Sequence, residues 1–358
     1  MRSSAFVRSF PLVVASLACL LAASIVAAPS LAQDDIPRRP DGKPDLSGNY
    51  DIASLTPFER PEMHGDKQFM TPEEAAQIEK AAAAGMAFAN RASDPNREAP
   101  PPGGDGSGGA AGDVGGYNAF WIDPGSKTYM VDGKFRTSIL YDPPNGRLPA
   151  LTEEGKARRA AARPYVFKNT GTAWWLDDGA EEGPYDGPES LATIERCLYP
   201  NGLLPSRPVL YNNLHTIVQT DTHLMILIEW MHEARIIRLD QEPAPEGLRS
   251  LSGDSVGRWE GDTLVVETTN FQFNPVSQRD YKLTERFTRT SQDTLLYDFT
   301  VEDADYEVPY SGQFTWPQTQ DKLYEYACHE GNYAMGGILR GARLLEKETR
   351  EGQTSGDD

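Results

Sequence analysis

Cysteine is nearly absent from this 358-residue sequence, which has only Cys19, Cys197 and Cys328. Histidine is scarce as well, with five residues. None of the five falls into an H-x-H or H-E-x-x-H spacing, so no metal centre is expected from His215, His232, His329 and Glu229. A glycine-rich phosphate loop and a dinucleotide fingerprint are also missing, which leaves no sequence ground for a cofactor. Gly253-Asp254-Ser255-Val256-Gly257 has the letters of a nucleophile elbow but lies in a strand-rich stretch with no following helix. Positive charge is short, with 34 Lys+Arg against 53 Asp+Glu for a formal charge of −19. That balance disfavours nucleic acid and anionic membrane surfaces as partners.

Long apolar runs are confined to the beginning of the chain. Arg2 and Arg8 precede an apolar, alanine-rich run from Leu12 to Ala28, and small residues at Ser30 and Ala32 follow before Gln33-Asp34-Asp35. The pattern predicts a Sec-type signal peptide over residues 1–32, cleaved after Ala32, and a periplasmic or secreted protein. The run is shorter than the ~20 residues that span a bilayer, and no second one follows, so no membrane insertion is expected after cleavage. Cys19 after Ser16-Leu17-Ala18 makes lipidation a minor alternative. Cleavage would remove Arg2 and Arg8, taking the charge from −19 to −21, and would leave Cys197 and Cys328 as an even pair in an oxidising compartment. A disulfide between them is predicted.

The 27 prolines and 32 glycines divide the remainder into segments. Residues 33–90 read as a strand at 45–52 and a helix opened by Thr71 as N-cap and Pro72 at the first helical position. Residues 91–116, rich in Pro and Gly, read as a flexible linker. Residues 117–195 hold a hairpin around Asp132-Gly133, a short helix from Thr152 to about Arg163, and an acidic loop. That loop lacks calcium-loop spacing and reads as solvated. From residue 196 to 350 apolar, β-rich runs alternate with turn residues. Strands are predicted near 211–219, 223–230, 235–239, 254–260, 263–271, 281–289, 294–302, 308–316 and 322–328. Gly336-Gly337 should interrupt any helix before one at 338–348, and residues 351–358 read as a disordered tail. Gly257 and Gly261 are expected to permit tight packing, with Trp259 filling the core. Nine strands joined mostly by short turns predict a mainly β fold, an antiparallel meander closing into a barrel to remove its edges; a sandwich is the alternative.

The blocks Gly253 to Val266 (GDSVGRWEGDTLVV) and Tyr324 to Asn332 (YEYACHEGN), with Tyr211-Asn212-Asn213, resemble a large family of exported bacterial proteins. The resemblance extends to Arg196-Cys197, Glu229 through Arg235 and Arg136-Thr137-Ser138, and it implies membership and no activity. Where members of that family often carry a His-Ser pair before Glu-Arg, this chain has Leu283-Thr284 before Glu285-Arg286. Gly48-Asn49-Tyr50 on a first strand, the long meander and a C-terminal helix also resemble a lipocalin arrangement, which would imply an interior ligand.

Candidate chemistry gathers at one strand reversal. Glu229, His232, Glu233 and Arg235 put carboxylate, imidazole and guanidinium within seven residues, a set able to act on a ligand at a barrel mouth. Equally, Glu229 and Arg235 could form a cross-strand ion pair with His232 closing a turn. Glu285 shares its face with Leu283 and Phe287, so its carboxylate should point inward and require a cation such as Arg235 or Arg286. The catalytic candidates are therefore His232, Glu229, Arg235 and Glu285. The ligand-binding candidates are Asn213, His215, Trp259, His329, Glu330 and Asn332. Two functional classes follow: binding of a small, partly apolar organic molecule with metal-free acid–base catalysis of the lyase, isomerase or hydrolase type, or non-catalytic binding. A structural envelope protein is a third, favoured if side chains fill the barrel.

Overall fold

The computed structural model describes residues 36–92, 96, 98, 122–162, 172–176, 183–198, 204–272 and 281–354. The chain divides into Met1–Asp34 and Asp35–Asp358. The expected signal peptide, most of the expected linker, residues 177–182 of the acidic loop and residues 355–358 lie outside the described residues. In chain order the second unit forms β1 (Gly48–Asp51), β2 (Phe69–Met70), α1 (Pro72–Ala89), β3 (Met130–Val131), β4 (Lys134–Arg136), β5 (Leu140–Asp142) and α2 (Glu153–Ala162). There follow β6 (Leu214–Gln219), β7 (His223–Ile228), β8 (Glu233–Leu239), β9 (Asp254–Glu260), β10 (Thr263–Thr269), β11 (Lys282–Arg289), β12 (Thr294–Glu302) and β13 (Tyr310–Pro317). Two helices, α3 (Cys328–Gly331) and α4 (Tyr333–Thr354), come last.

Local chemistry explains the expected elements that form. Thr71 Oγ1 accepts from the Glu74 N–H, and the Glu74 carboxylate accepts in return from the Thr71 N–H, so a capping box opens α1. Asp132 and Gly133 both take positive φ, as a tight turn between β3 and β4 requires. Along β11 and β12 buried and half-buried residues alternate strictly, giving the sheet one dry face and one wet face.

The fold is mainly β, but not a closed barrel. Ten strands make one curled sheet in the order β1-β6-β7-β8-β9-β10-β11-β12-β13-β5, and β2-β4-β3 form a small second sheet. The large sheet is a half-barrel whose edges are β1 and β5, strands of four and three residues. Among the described residues the two edges do not pair with each other. β1 meets the far end of β13 through the isolated bridge Tyr50↔Gln318, beside which the Thr319 N–H donates to Asn49 O at 2.9 Å. The expected meander is also broken once: β8 and β9 run parallel, pairing Ile237 with Ser255 and Leu239 with Gly257. Residues 240–253 make the crossover this requires.

Three further expectations are corrected. No strand forms at 322–328, because residues 321–327 lie mostly exposed and lead directly into α3. Gly336 and Gly337 do not interrupt the last helix; α4 runs through them from Tyr333, and an added Cβ on either would meet nothing within 4 Å. Trp259 is half-buried at the edge of the core, with Lys43 Nζ 5.7 Å from its ring centroid. Gly257 does permit close packing, since a Cβ there would lie 3.0 Å from Ile237 and Leu239 side-chain carbons. Gly261 instead serves a turn, at φ +64 with open space around it.

The inward face of the half-barrel holds the core. Leu264, Val266, Leu283, Phe287, Leu295, Tyr297, Phe299, Phe314 and Trp316 are each at most 1% exposed. Trp316 stacks at a tilt on Tyr297 with centroids 4.8 Å apart and meets Phe287 edge-on at 5.6 Å. Residues 44–50 plug one end of the half-barrel. There Gln219 accepts from the Leu46 N–H at 2.8 Å, and Arg289 donates to Asp45 O at 2.8 Å and to the Tyr50 hydroxyl at 3.1 Å. The predicted disulfide is present, joining Cys197 to Cys328 with 5.6 Å between Cα atoms.

Candidate functional site

Between β7 and β8 the chain reverses through a single 3-10 turn, Trp230–His232, in which Met231 and His232 take φ of 58 and 40. Left-handed backbone is unfavourable for a residue such as methionine. Trp230 and Met231 hold it there by burying their side chains in the core. The consequence for His232 is outward exposure, with no side-chain hydrogen bond among the described residues. Glu229 is buried and accepts from the Tyr324 N–H at 2.8 Å, which ties the segment after β13 to the turn. Glu229 and Arg235 therefore do not pair with each other.

Arg235 points to the interior, where it meets Glu285 as their inward-facing positions on β8 and β11 require. Its Nη1 donates to Glu285 Oε1 at 2.9 Å, and its Nη2 donates to Oε2. Nε donates to Ser255 Oγ at 3.0 Å and Nη2 to Thr268 Oγ1 at 2.6 Å, while Ser255 and Thr268 share a hydrogen bond of 2.9 Å. The Tyr297 hydroxyl donates to Glu285 Oε1 at 2.8 Å and accepts from the Ser206 N–H at 3.0 Å. Burial, and then the charge on Glu285, push the Tyr297 hydroxyl well above the usual phenol range. It is thus a fixed proton donor at any physiological pH. One polar network crosses five neighbouring strands, β8 to β12, inside an aromatic core.

Beside this network lies a cleft of about 420 Å³ lined by Glu233, Ala234, Arg235, Ile236, Ser250–Gly253 and Ser255. It exists because the β8–β9 ladder begins only at Ile237, leaving residues 233–236 of β8 without a strand partner on that side. Ser252 Oγ donates to Glu233 Oε1 on its wall. The cleft and the network share Arg235 and Ser255.

The other candidates lie elsewhere. Asn213 uses its amide internally: Nδ2 donates to Asp123 O and Val209 O, and Oδ1 accepts from the Val209 N–H. His215 is buried edge-on against Trp316, 5.0 Å between centroids, with Nδ1 3.1 Å from Asn213 O. Burial holds its pKa down at about 4, so the ring is neutral at neutral pH. His329 and Glu330 are exposed on α3. Asn332 donates to Glu195 O at 2.8 Å and lines a separate 540 Å³ cavity with Cys197, Cys328, Tyr326 and Met335. Of the catalytic candidates, then, Arg235 and Glu285 come together, Glu229 braces a loop, and His232 stands apart.

Sequence reasoning missed Tyr297, Ser255, Thr268 and Ser206. For Tyr297 and Glu285 the signal was available, since each shares an inward face with apolar neighbours on adjacent strands. Ser206 lies in a loop with no periodic pattern to place it. The chain matches no family model, no curated protein and no solved structure.

Proposed function

We propose that this is an exported, non-catalytic binding protein for a small, partly apolar organic molecule, received not in the half-barrel interior, which side chains fill, but in the cleft at the start of β8. The observation that carries the reading is the sharing of Arg235 and Ser255 between the cleft and the buried ion-pair network. A buried ion pair contributes little net stability compared with a hydrophobic replacement. Arg235 and Ser255, the members of the network that line the cleft, are held in fixed orientation at its wall, which suits recognition. The cleft volume falls within the range of small-molecule sites, and Ala234, Ile236 and Leu251 add apolar wall to the carboxylate of Glu233 and the hydroxyls of Ser250 and Ser252.

Binding is favoured over acid–base catalysis by the state of the groups. Both Glu285 oxygens already accept hydrogen bonds, the residue is fully buried, and His232 has no group orienting it. Native mass spectrometry of the chain purified from its own host tests the reading. A bound molecule of a few hundred daltons is expected, and it should be lost in Ala234→Trp, which fills the cleft from an exposed position without touching the network. Retention of the same ligand by Ala234→Trp, with unchanged stoichiometry, would rule out this cleft. Turnover of that ligand abolished by His232→Gln would restore the catalytic reading.

A further inference from the structure

On a part of the molecule that shares no residue with the cleft, two buried guanidinium groups keep donor atoms without hydrogen-bond partners. Arg60 is 2% exposed and Arg136 6%. Arg60 donates through Nε to Thr137 Oγ1 at 3.0 Å and through Nη1 to Pro144 O at 3.0 Å, and its Nη2 has no hydrogen-bond partner. Arg136 lies close to the rings of Phe69 and Tyr141, 5.5 and 5.4 Å from their centroids, and interacts with the Tyr129 hydroxyl, with both Nε and Nη2 unpartnered. Neither arginine forms an ion pair among the described residues. The Tyr141 hydroxyl is bonded to the nearby carboxylate of Asp298 at 3.1 Å.

Charges of both signs act on Arg60. Burial, and then Arg136, hold its pKa below the usual guanidinium value; Asp66 opposes them and Arg147 adds to them. Asp66 and Asp298 act on Arg60 and Arg136 through space without an ion pair, so the buried donors stay unmet, which is unfavourable. The two aromatic rings near Arg136 attract its cation, but they accept no N–H hydrogen bond in the guanidinium plane. The unmet donors are those that pair with an oxyanion, which presents several acceptor oxygens to a guanidinium fork. Gly146, at φ +68, comes so close to Arg60 that a Cβ there would lie 2.8 Å from Nη2.

We propose that Arg60 and Arg136 form a binding site for a small oxyanion, either a phosphate-like tetrahedral anion or a carboxylate. Calorimetric titration of the purified chain at constant ionic strength tests it, with inorganic phosphate in one arm and acetate in the other, chloride making up the balance. Saturable one-site binding is expected in one arm, with a melting temperature that rises by several degrees as that anion approaches saturation. The arm that binds identifies the oxyanion class. Arg136→Gln should weaken binding at least about tenfold, and Arg136→Lys, which keeps the charge and loses the fork, should fall between. If Arg136→Gln does not fold, Arg60→Lys is titrated in the same way and should also bind more weakly. Failure of both anions to saturate the unaltered chain, or equal affinity in the arginine variants, overturns the proposal.

Discussion

Arg235 and Arg289 occupy inward positions of the same sheet, 3% and 4% exposed, and their positive charges are accommodated by different means. Arg235 faces a carboxylate, Glu285, in a bidentate pair reinforced by Ser255 and Thr268. Arg289 faces carbonyl dipoles, those of Asp45, Ser291 and Gln292, and the Tyr50 hydroxyl. The first arrangement is built from side chains on adjacent strands and borders a cleft. The second depends on residues 44–50 and the turn after β11, and serves as the seal of one end of the half-barrel. A buried charge is thus met by a carboxylate in one place and by carbonyl dipoles in the other, and mutation should tell them apart.

The largest expected effect comes from breaking the ion pair on one side. Glu285→Leu should cost about 3–5 kcal/mol in denaturant unfolding because Arg235 is left buried and unpaired. Adding Arg235→Met should recover most of the loss. If single and double variants are equally unstable, the pair is not the unit that matters.

His215, packed on the Trp316 ring between the two ends, gives the next effect. Its folded pKa of about 4 lies below its unfolded value near 6.5, so the folded state binds fewer protons in that window. The stability it contributes is fully present above pH 6.5 and is lost as pH falls toward 4, on the order of 3 kcal/mol in total. His215→Gln should flatten the unfolding free energy over that range, whereas a slope unchanged by the substitution would assign it to other groups.

Tyr297→Phe removes one hydrogen bond to Glu285 and strands the Ser206 N–H, and about 2 kcal/mol of destabilisation is expected by thermal unfolding. The smallest change is at the seal. Arg289→Met should cost about 1 kcal/mol, because its carbonyl partners lie near the rim where water can replace it. A loss as large as that of Glu285→Leu would erase the distinction between the two ends.

Much of this was legible before any coordinates. Alternation along β11 and β12 gave both strands and their inward faces, and it placed Glu285 among apolar neighbours with Arg235 or Arg286 as its partner. The same alternation excludes Arg286, which adjoins Glu285 on β11 and faces outward to Glu260; what was not legible is the parallel pairing of β8 with β9 that brings Arg235 into reach. Closure failed for a related reason: the edges come from β1 and β5, distant in sequence, and edge length is decided by tertiary contacts. His232 looked chemical in a one-dimensional cluster, but two left-handed residues at the reversal turn it outward. The unpartnered donors of Arg60 and Arg136 gave no motif, since what distinguishes them is missing partners rather than spacing.

The disulfide between Cys197 and Cys328 brackets every strand from β6 to β13. The topology makes this stretch a covalently closed loop, so a single proteolytic nick in the crossover at 240–253 cannot release a fragment. Nicked protein should migrate as one chain on a non-reducing gel and as two after thiol treatment. Its halves remain at high effective concentration and can reassociate after mild unfolding without a second-order search.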